Sequence, residues 1–100
     1  MKTPKSRIEF NHDRRELFVE GKSVHLPNAE YRVLHALKST NRAMTREELG
    51  HEVGHTPEQI ENGGRVIDQY VARLRRKLGR HADAIETVSR FGYRIASAYA

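Results

Sequence analysis

The chain of 100 residues is long enough for one domain with a single modest hydrophobic core. It has no cysteine, which excludes disulfide bonds and thiolate metal sites. Because its apolar runs are short, we expect neither a signal peptide nor a membrane span, and a cytoplasmic location. The formal net charge is +5 at pH 7. This charge is uneven, since residues 41–64 hold two Arg against five Glu while both flanking segments are basic, so one surface is expected to attract a polyanion.

The first part of the chain predicts a small antiparallel sheet over residues 7–26. Residues 7–10 alternate polar and apolar side chains, and a period of two continues through Leu17 and Leu26 around a turn at Glu20-Gly21-Lys22. Residues 1–6 are polar and basic and are interpreted as a disordered or linker-like segment. The remaining 7–100 are interpreted as one domain.

Two helices are predicted next, over 27–40 and 45–54. In the first, apolar residues recur at helical spacing. The second has the clearest start signal in the chain, because Thr45 and Glu48 form a capping-box pattern. Gly54 and Pro57 are expected to end it. Residues 55–64 are then predicted to be a loop rich in Gly, Pro and Asn.

A third helix is predicted over 64–78, with Asn62 or Gly63 near its N-cap and Gly79 just beyond its end. At about 100° per residue, its apolar side chains fall on one side. These are Ile67, Tyr70, Val71, Leu74 and Leu78. The opposite half carries Arg65, Asp68, Gln69, Ala72, Arg73 and Arg76.

The residue types on that opposite half suit the major groove of DNA. Arg can donate two bonds to guanine, Gln can pair with adenine, and Asp can accept from cytosine, while Ala permits close approach and a contact with the thymine methyl. The same composition also describes an ordinary solvated helix face, because Arg and Gln are good helix formers. What favours DNA is a basic hairpin predicted over 85–95, which contains Arg90 and Arg94 and would give a second point of attachment.

The predicted order of elements is an N-terminal antiparallel sheet, a three-helix core and a C-terminal β-hairpin wing. We therefore predict an α+β fold of winged helix-turn-helix type. Its function would be sequence-specific binding of double-stranded DNA in transcription regulation.

Four segments, in the right order and spacing, carry a family resemblance. They are Leu26…Glu30-Tyr31-Arg32-Val33-Leu34, Met44-Thr45-Arg46-Glu47-Glu48-Leu49, residues 65–78, and Ile85-Glu86-Thr87-Val88-Ser89-Arg90-Phe91-Gly92-Tyr93-Arg94-Ile95. The sequence resembles the effector domain of OmpR/PhoB-type response regulators over nearly its whole length.

The resemblance implies a four-stranded N-terminal sheet, a third helix in the major groove and a wing at the adjacent minor groove. Carried over by position, the six polar-side residues of the third helix face the groove, and Thr87, Ser89 and Arg90 lie at the wing. The 55–64 loop, with Glu58 and Glu61, would contact RNA polymerase. The resemblance further implies direct DNA repeats, a tandem homodimer on them, and association with the nucleoid.

The sequence departs from the family pattern in three ways. Pro27-Asn28 replaces Thr-Pro at the first helix start, and Ser89-Arg90 replaces Arg-Gly in the wing, which moves the wing arginine by one residue. No receiver domain is present in these residues. This leaves open an excised effector domain and a free-standing regulator.

Two alternatives compete with DNA binding. The segment His51-Glu52-Val53-Gly54-His55 matches the HExxH pattern of zinc peptidases. That helix must continue past both histidines, whereas Gly54 and Pro57 end this one, so we predict no enzyme, metal site, cofactor or small-molecule substrate. Adventitious binding of a metal ion by this segment stays open. The second alternative is a winged-helix protein-interaction module without DNA binding. A membrane-surface role is not expected.

Overall fold

A computed structural model of the protein describes residues 8–56, 58 and 64–99. It opens with three antiparallel strands in the order β1-β2-β3. These strands are β1 (Ile8–Asn11), β2 (Glu16–Val19) and β3 (Lys22–Val24). Leu17 of the central strand is buried, and β1 alternates half-buried and exposed residues, as a sheet with one solvated side requires. The fourth strand implied by the family resemblance is not found in this sheet among the described residues.

Three helices follow the first sheet: α1 (Asn28–Thr40), α2 (Arg46–Glu52) and α3 (Arg65–Leu78). The predicted capping box is confirmed at the start of α2, because Thr45 Oγ1 accepts the Glu48 N–H at 3.0 Å and Glu48 Oε1 accepts the Thr45 N–H at 2.9 Å. This helix ends before its predicted limit at residue 54, since Val53 is its C-cap and Gly54 has a φ of +81°. The described residues contain no helix that is long and apolar enough to cross a membrane.

The start of α3 lies where it was predicted, at about residue 64. Its N-cap is Gly64, in the left-handed conformation with a φ of 73°. Asn62 and Gly63, which were predicted to lie near the cap, are outside the described residues. A Cβ at position 64 would come within 2.6 Å of the Arg46 side chain, so glycine also permits the close approach of α2. The predicted stop at Gly79 is observed, because this residue is the C-cap of α3.

The C-terminal sheet has one strand more than the predicted hairpin. It contains β4 (Met44–Thr45), β5 (Ile85–Val88) and β6 (Gly92–Ile95) in the order β4-β6-β5, all antiparallel. The sequence pattern predicts Met44 and Thr45 only as the start of the second helix. The extra strand passes so close to Gly92 that a Cβ there would lie 1.9 Å from the Met44 carbonyl oxygen.

One core joins the helices to both sheets. Its buried apolar residues are Leu17, Leu26, Tyr31, Val33, Leu34, Ala36, Leu37, Met44, Leu49, Ile67, Val71, Leu74, Leu78, Ala84, Ile85, Tyr93 and Ile95. The predicted fold class, a winged helix-turn-helix with an N-terminal antiparallel sheet, is confirmed. The core therefore fixes one side of α3, and the C-terminal sheet lies beside it.

Candidate nucleic-acid interface

The outer side of α3 is exposed to solvent along its length. Arg65, Gln69, Ala72, Arg73 and Arg76 are all exposed, and we call these five residues the outer face of α3. The inner side of the same helix is buried in the core at Ile67, Val71, Leu74 and Leu78, as predicted. Tyr70 is only partly buried, and its hydroxyl lies 3.2 Å from His55 Nε2.

The three arginines of the outer face keep their donors available. Within the described part of the chain, Arg65, Arg73 and Arg76 form no ion pair and no side-chain hydrogen bond. A guanidinium presents five N–H donors in a planar fork that matches phosphate oxygens and the O6 and N7 atoms of guanine. Together with Gln69, the outer face offers cations and hydrogen-bond donors to an anionic partner.

Asp68, the sixth residue predicted on this side of α3, forms hydrogen bonds with other parts of the protein. Its Oδ1 accepts Arg46 Nε at 2.7 Å and also the hydroxyl of Tyr93. Burial, followed by the hydrogen bond to Asp68, raises the pKa of Tyr93. The Asp68 side chain remains 42% exposed, so it lies at the border between the outer face and the wing.

The four predicted wing residues fall into two groups. Ser89 and Arg90 lie in the exposed turn between β5 and β6, which the Phe91 N–H closes by donating to the Val88 carbonyl at 2.9 Å. Arg90 occupies the left-handed region with a φ of 60° and forms no side-chain hydrogen bond or ion pair with the described residues. The other two are exposed but engaged. Arg94 pairs with Glu86 at 2.7 Å, and Thr87 Oγ1 accepts Arg75 Nη2 at 2.9 Å.

Sequence reasoning missed several residues at this surface. Phe91 is 44% exposed at the tip of the wing, the one large hydrophobic side chain exposed among the described residues. Arg75 of α3 and Tyr93 of the wing contact each other, and Arg46 of α2 contacts both Asp68 and Tyr93. The helical wheel places Arg75 beside Asp68, at the border of the outer face, but it does not predict any of these contacts.

The predicted loop over 55–64 and the HExxH match add little to the candidate interface. Glu58 is exposed, and Glu61 lies outside the described residues. Helix α2 ends at Glu52, so His51 and His55 do not share a helix, and His55 stacks on Tyr70 with ring centroids 5.8 Å apart. No group of three or more His, Asp or Glu that could hold a metal ion occurs among the described residues.

The profile of a protein family described as "Transcriptional regulatory protein, C terminal" matches residues 21–95. The chain belongs to this family. The resemblance to OmpR/PhoB-type effector domains is thereby confirmed, and the family places this domain with transcription regulators and not with enzymes. A comparison with curated proteins found no matching sequence.

Solved structures of response-regulator domains resemble this domain. The DNA-binding domain of Klebsiella pneumoniae RstA, in complex with the RstA box, is 26% identical with a TM-score of 0.74, covering 91% of this chain and 92% of that one. The DNA-binding domain of CpxR from E. coli is also 26% identical, with a TM-score of 0.73 and coverage of 98% and 96%.

Some similar structures are longer than this domain. A member of a family of redox sensors in the streptococci, evolved from two-component response regulators, is 24% identical with a TM-score of 0.75. The match covers 96% of this chain but only 43% of the longer one, so it shows a shared fold over less than half of that protein.

Proposed function

We propose that the protein binds double-stranded DNA sequence-specifically as a transcription regulator, with α3 in the major groove and the wing at the minor groove. The observation that carries this proposal is the outer face of α3. It presents three arginines that have no side-chain partner among the described residues, together with Gln69 and Ala72, on a helix whose other side is buried in the core. The RstA and CpxR structures support it, because both are described as DNA-binding domains.

Helix α3 and the wing would make different contacts with the duplex. Gln69, Ala72, Arg73 and neighbouring residues of the outer face would contact base edges, which carry the sequence information. Asp68, at the border of that face, would be available only through the part of its carboxylate that is exposed. In the wing, Ser89 and Arg90 would reach the minor groove or phosphates, while Thr87 and Arg94 would line the adjacent surface.

A binding-site selection from a randomised duplex library tests the proposal directly. The duplex obtained should bind with a steep dependence on salt concentration, because phosphate contacts release counterions. Arg73→Ala should lose about 1–3 kcal/mol of binding free energy and relax the preference at one base position. Arg90→Ala should weaken binding with little change in preference. Equal losses on all sequences for both variants would contradict this division.

The exposed Arg14 provides a matched control for charge. Arg14→Ala removes the same positive charge, but from the turn between β1 and β2, and should leave duplex affinity nearly unchanged. If no duplex is selected and binding to DNA does not depend on salt, the protein is instead an interaction module of winged-helix shape.

Three finer features of the proposal rest on the family resemblance. We propose that two copies bind direct repeats as a tandem homodimer in the nucleoid, and that the segment with Glu58 and Glu61 contacts RNA polymerase. Glu58 is exposed, which this contact requires. Glu58→Ala should reduce transcription from a target promoter without changing duplex affinity, and an equal loss of both would contradict a polymerase contact.

A further inference from the structure

Tyr93 of the wing lies at the centre of a network that reaches two helices. Tyr93 is only 5% exposed, and its hydroxyl donates to Asp68 Oδ1 of α3. The same carboxylate oxygen accepts Arg46 Nε of α2 at 2.7 Å. The guanidinium carbons of Arg46 and Arg75 lie 5.5 and 5.6 Å from the centroid of the Tyr93 ring, within cation–π distance.

Arg75 links α3 to the outer strand of the wing. Its Nη2 donates to the Ile85 carbonyl at 2.7 Å and to Thr87 Oγ1 at 2.9 Å, and its Nε donates to the same carbonyl at 3.2 Å. Ile85 and Thr87 belong to β5, which among the described strands pairs with β6 and lies at the edge of the sheet. The guanidinium of Arg75 is thus committed to the wing, unlike those of Arg65, Arg73 and Arg76.

The positions of these residues on α3 explain how they act together. Asp68 and Arg75 lie about two helical turns apart, so they occupy the same edge of the helix, between its buried side and its outer face. Both contact Tyr93, and Arg75 extends the contact to β5. Asp68 and Arg75 therefore connect one edge of α3 to the wing at two points along the helix axis.

We propose that Arg75, Asp68, Tyr93 and Arg46 are positioning residues that hold the wing at a fixed distance from the outer face of α3. This inference rests on the proposed function, because a duplex fixes the spacing between its major and minor grooves. A protein that contacts both grooves binds best when its two contact surfaces are already held at that spacing. Arg75 then contributes to affinity through the wing and not through phosphate, and Asp68 supports Tyr93 instead of contacting cytosine.

A double-mutant cycle on the wild-type-selected duplex tests this role. Arg75→Lys keeps the positive charge but loses the planar fork that holds Ile85 and Thr87. We expect this variant to lose roughly fivefold in affinity and Arg90→Ala roughly tenfold, with the double variant within about twofold of Arg90→Ala alone. Losses that multiply, or wild-type affinity for Arg75→Lys, would overturn the proposal.

Arg76→Lys is the matched control for this cycle. Arg76 neighbours Arg75 on the same helix, but its side chain forms no hydrogen bond with the described residues. Its contact with DNA would be independent of the wing, so its loss and that of Arg90→Ala should multiply. Coupling of the same size at Arg76 would show that the cycle does not report on the wing and would overturn the inference.

Amide hydrogen exchange in the free protein tests the positioning without DNA. Arg75→Lys and Tyr93→Phe, which removes only the hydroxyl that reaches Asp68, should each speed exchange in β5 and β6 by roughly tenfold while exchange in α1 is unchanged. Equal acceleration throughout the chain, or none in the wing, would contradict the proposal. This measurement remains decisive if no duplex binds, an outcome that would refute the proposed function alone.

Discussion

Lys77 of α3 donates to the Glu30 carboxylate of α1 over 2.6 Å between Nζ and Oε1. The Glu30 side chain is only 3% exposed, whereas that of Lys77 is 29% exposed. An ionised carboxylate at this depth requires a partner, because removal of a charge from water is costly. The pair fastens the edge of α3 that lies opposite the wing, so both edges of the helix are held.

Removal of Lys77 should therefore destabilise the fold. Lys77→Met leaves Glu30 without its partner and should lower the free energy of unfolding by about 3 kcal/mol, measured by urea denaturation. Arg14→Met breaks an ion pair in which Arg14 is 70% exposed, and should cost less than about 0.5 kcal/mol. A second change, Glu30→Leu, should restore most of the stability lost in Lys77→Met. No recovery would show that the loss came from the lysine stem and not from the unpaired charge.

The capping box of α2 gives a second stability prediction. Thr45→Ala removes the acceptor of the Glu48 N–H and should lower the free energy of unfolding by about 1 kcal/mol. Thr40→Ala is the matched control, since Thr40 Oγ1 donates to the Ala36 carbonyl inside α1, a bond that adds little to a helix. Losses of equal size in thermal or urea denaturation would argue against a special role for the cap.

Gly92 should tolerate a methyl group much less well than Gly21. In Gly92→Ala the new Cβ would lie 1.9 Å from the Met44 carbonyl oxygen, so β4 and β6 must separate. We expect a loss of more than about 3 kcal/mol in the free energy of unfolding. Gly21→Ala meets no atom within 4 Å and has only its φ of +82° to oppose it, so about 1 kcal/mol is expected. A smaller loss at Gly92 than at Gly21 would show that β4 moves away at little cost.

We expect Arg90 to increase the affinity for duplex DNA while it lowers the free energy of unfolding. Its φ of 60° is unfavourable for any residue with a Cβ, so Arg90→Gly should raise the free energy of unfolding by about 1 kcal/mol while duplex affinity falls. Arg90→Ala should lose the same affinity without gaining stability, because alanine keeps the Cβ. Urea denaturation and a duplex titration of both variants measure the two effects. A fall in stability for Arg90→Gly would refute the argument from strain.

His35 should make stability depend on pH near neutrality. Burial, followed by the charge of His12, whose ring stacks 4.3 Å away, lowers the pKa of His35 below its ordinary 6.5, against an opposing effect of Glu52. As the pH falls through 6.5, the unfolded chain binds this proton first, so stability is full above that value and declines below it. His35→Gln should flatten the decline between pH 7 and 5 in urea denaturation. His25→Gln, at an exposed histidine outside the stack, controls for the loss of an imidazole.

Signals that lie close together in sequence predicted most of the fold. The helical period placed Ile67, Leu74 and Leu78 in the core, and the Thr45 and Glu48 pattern marked the start of α2. Strand β4 was missed because two residues show no period, and Met44 becomes a strand only by pairing with Tyr93, far along the chain. The sequence placed the start of α3 near Gly64 but gave no sign of the close neighbour that this glycine accommodates, since that neighbour is Arg46 of another helix.

The sequence predicted which side of α3 is exposed at the candidate site, but not the contacts of each residue. The helical wheel placed Gln69, Ala72 and Arg73 on the outer face, where all three are exposed. It could not separate them from Asp68, whose bonds depend on where Tyr93 lies after folding. Long-range contacts of this kind are fixed by tertiary packing, and a single sequence does not encode them as a local pattern.

The pairing of Met44 with Tyr93 encloses α2 and α3 between two strands of one sheet. Closing a loop of that length costs entropy before any strand contact can offset it, so this part of the structure should be among the last to form during folding. A fragment of α2 and α3 alone would lack the C-terminal sheet, which contacts α3. The smallest unit able to present the outer face of α3 together with the wing therefore extends to strand β6 and cannot be reduced to a helical peptide.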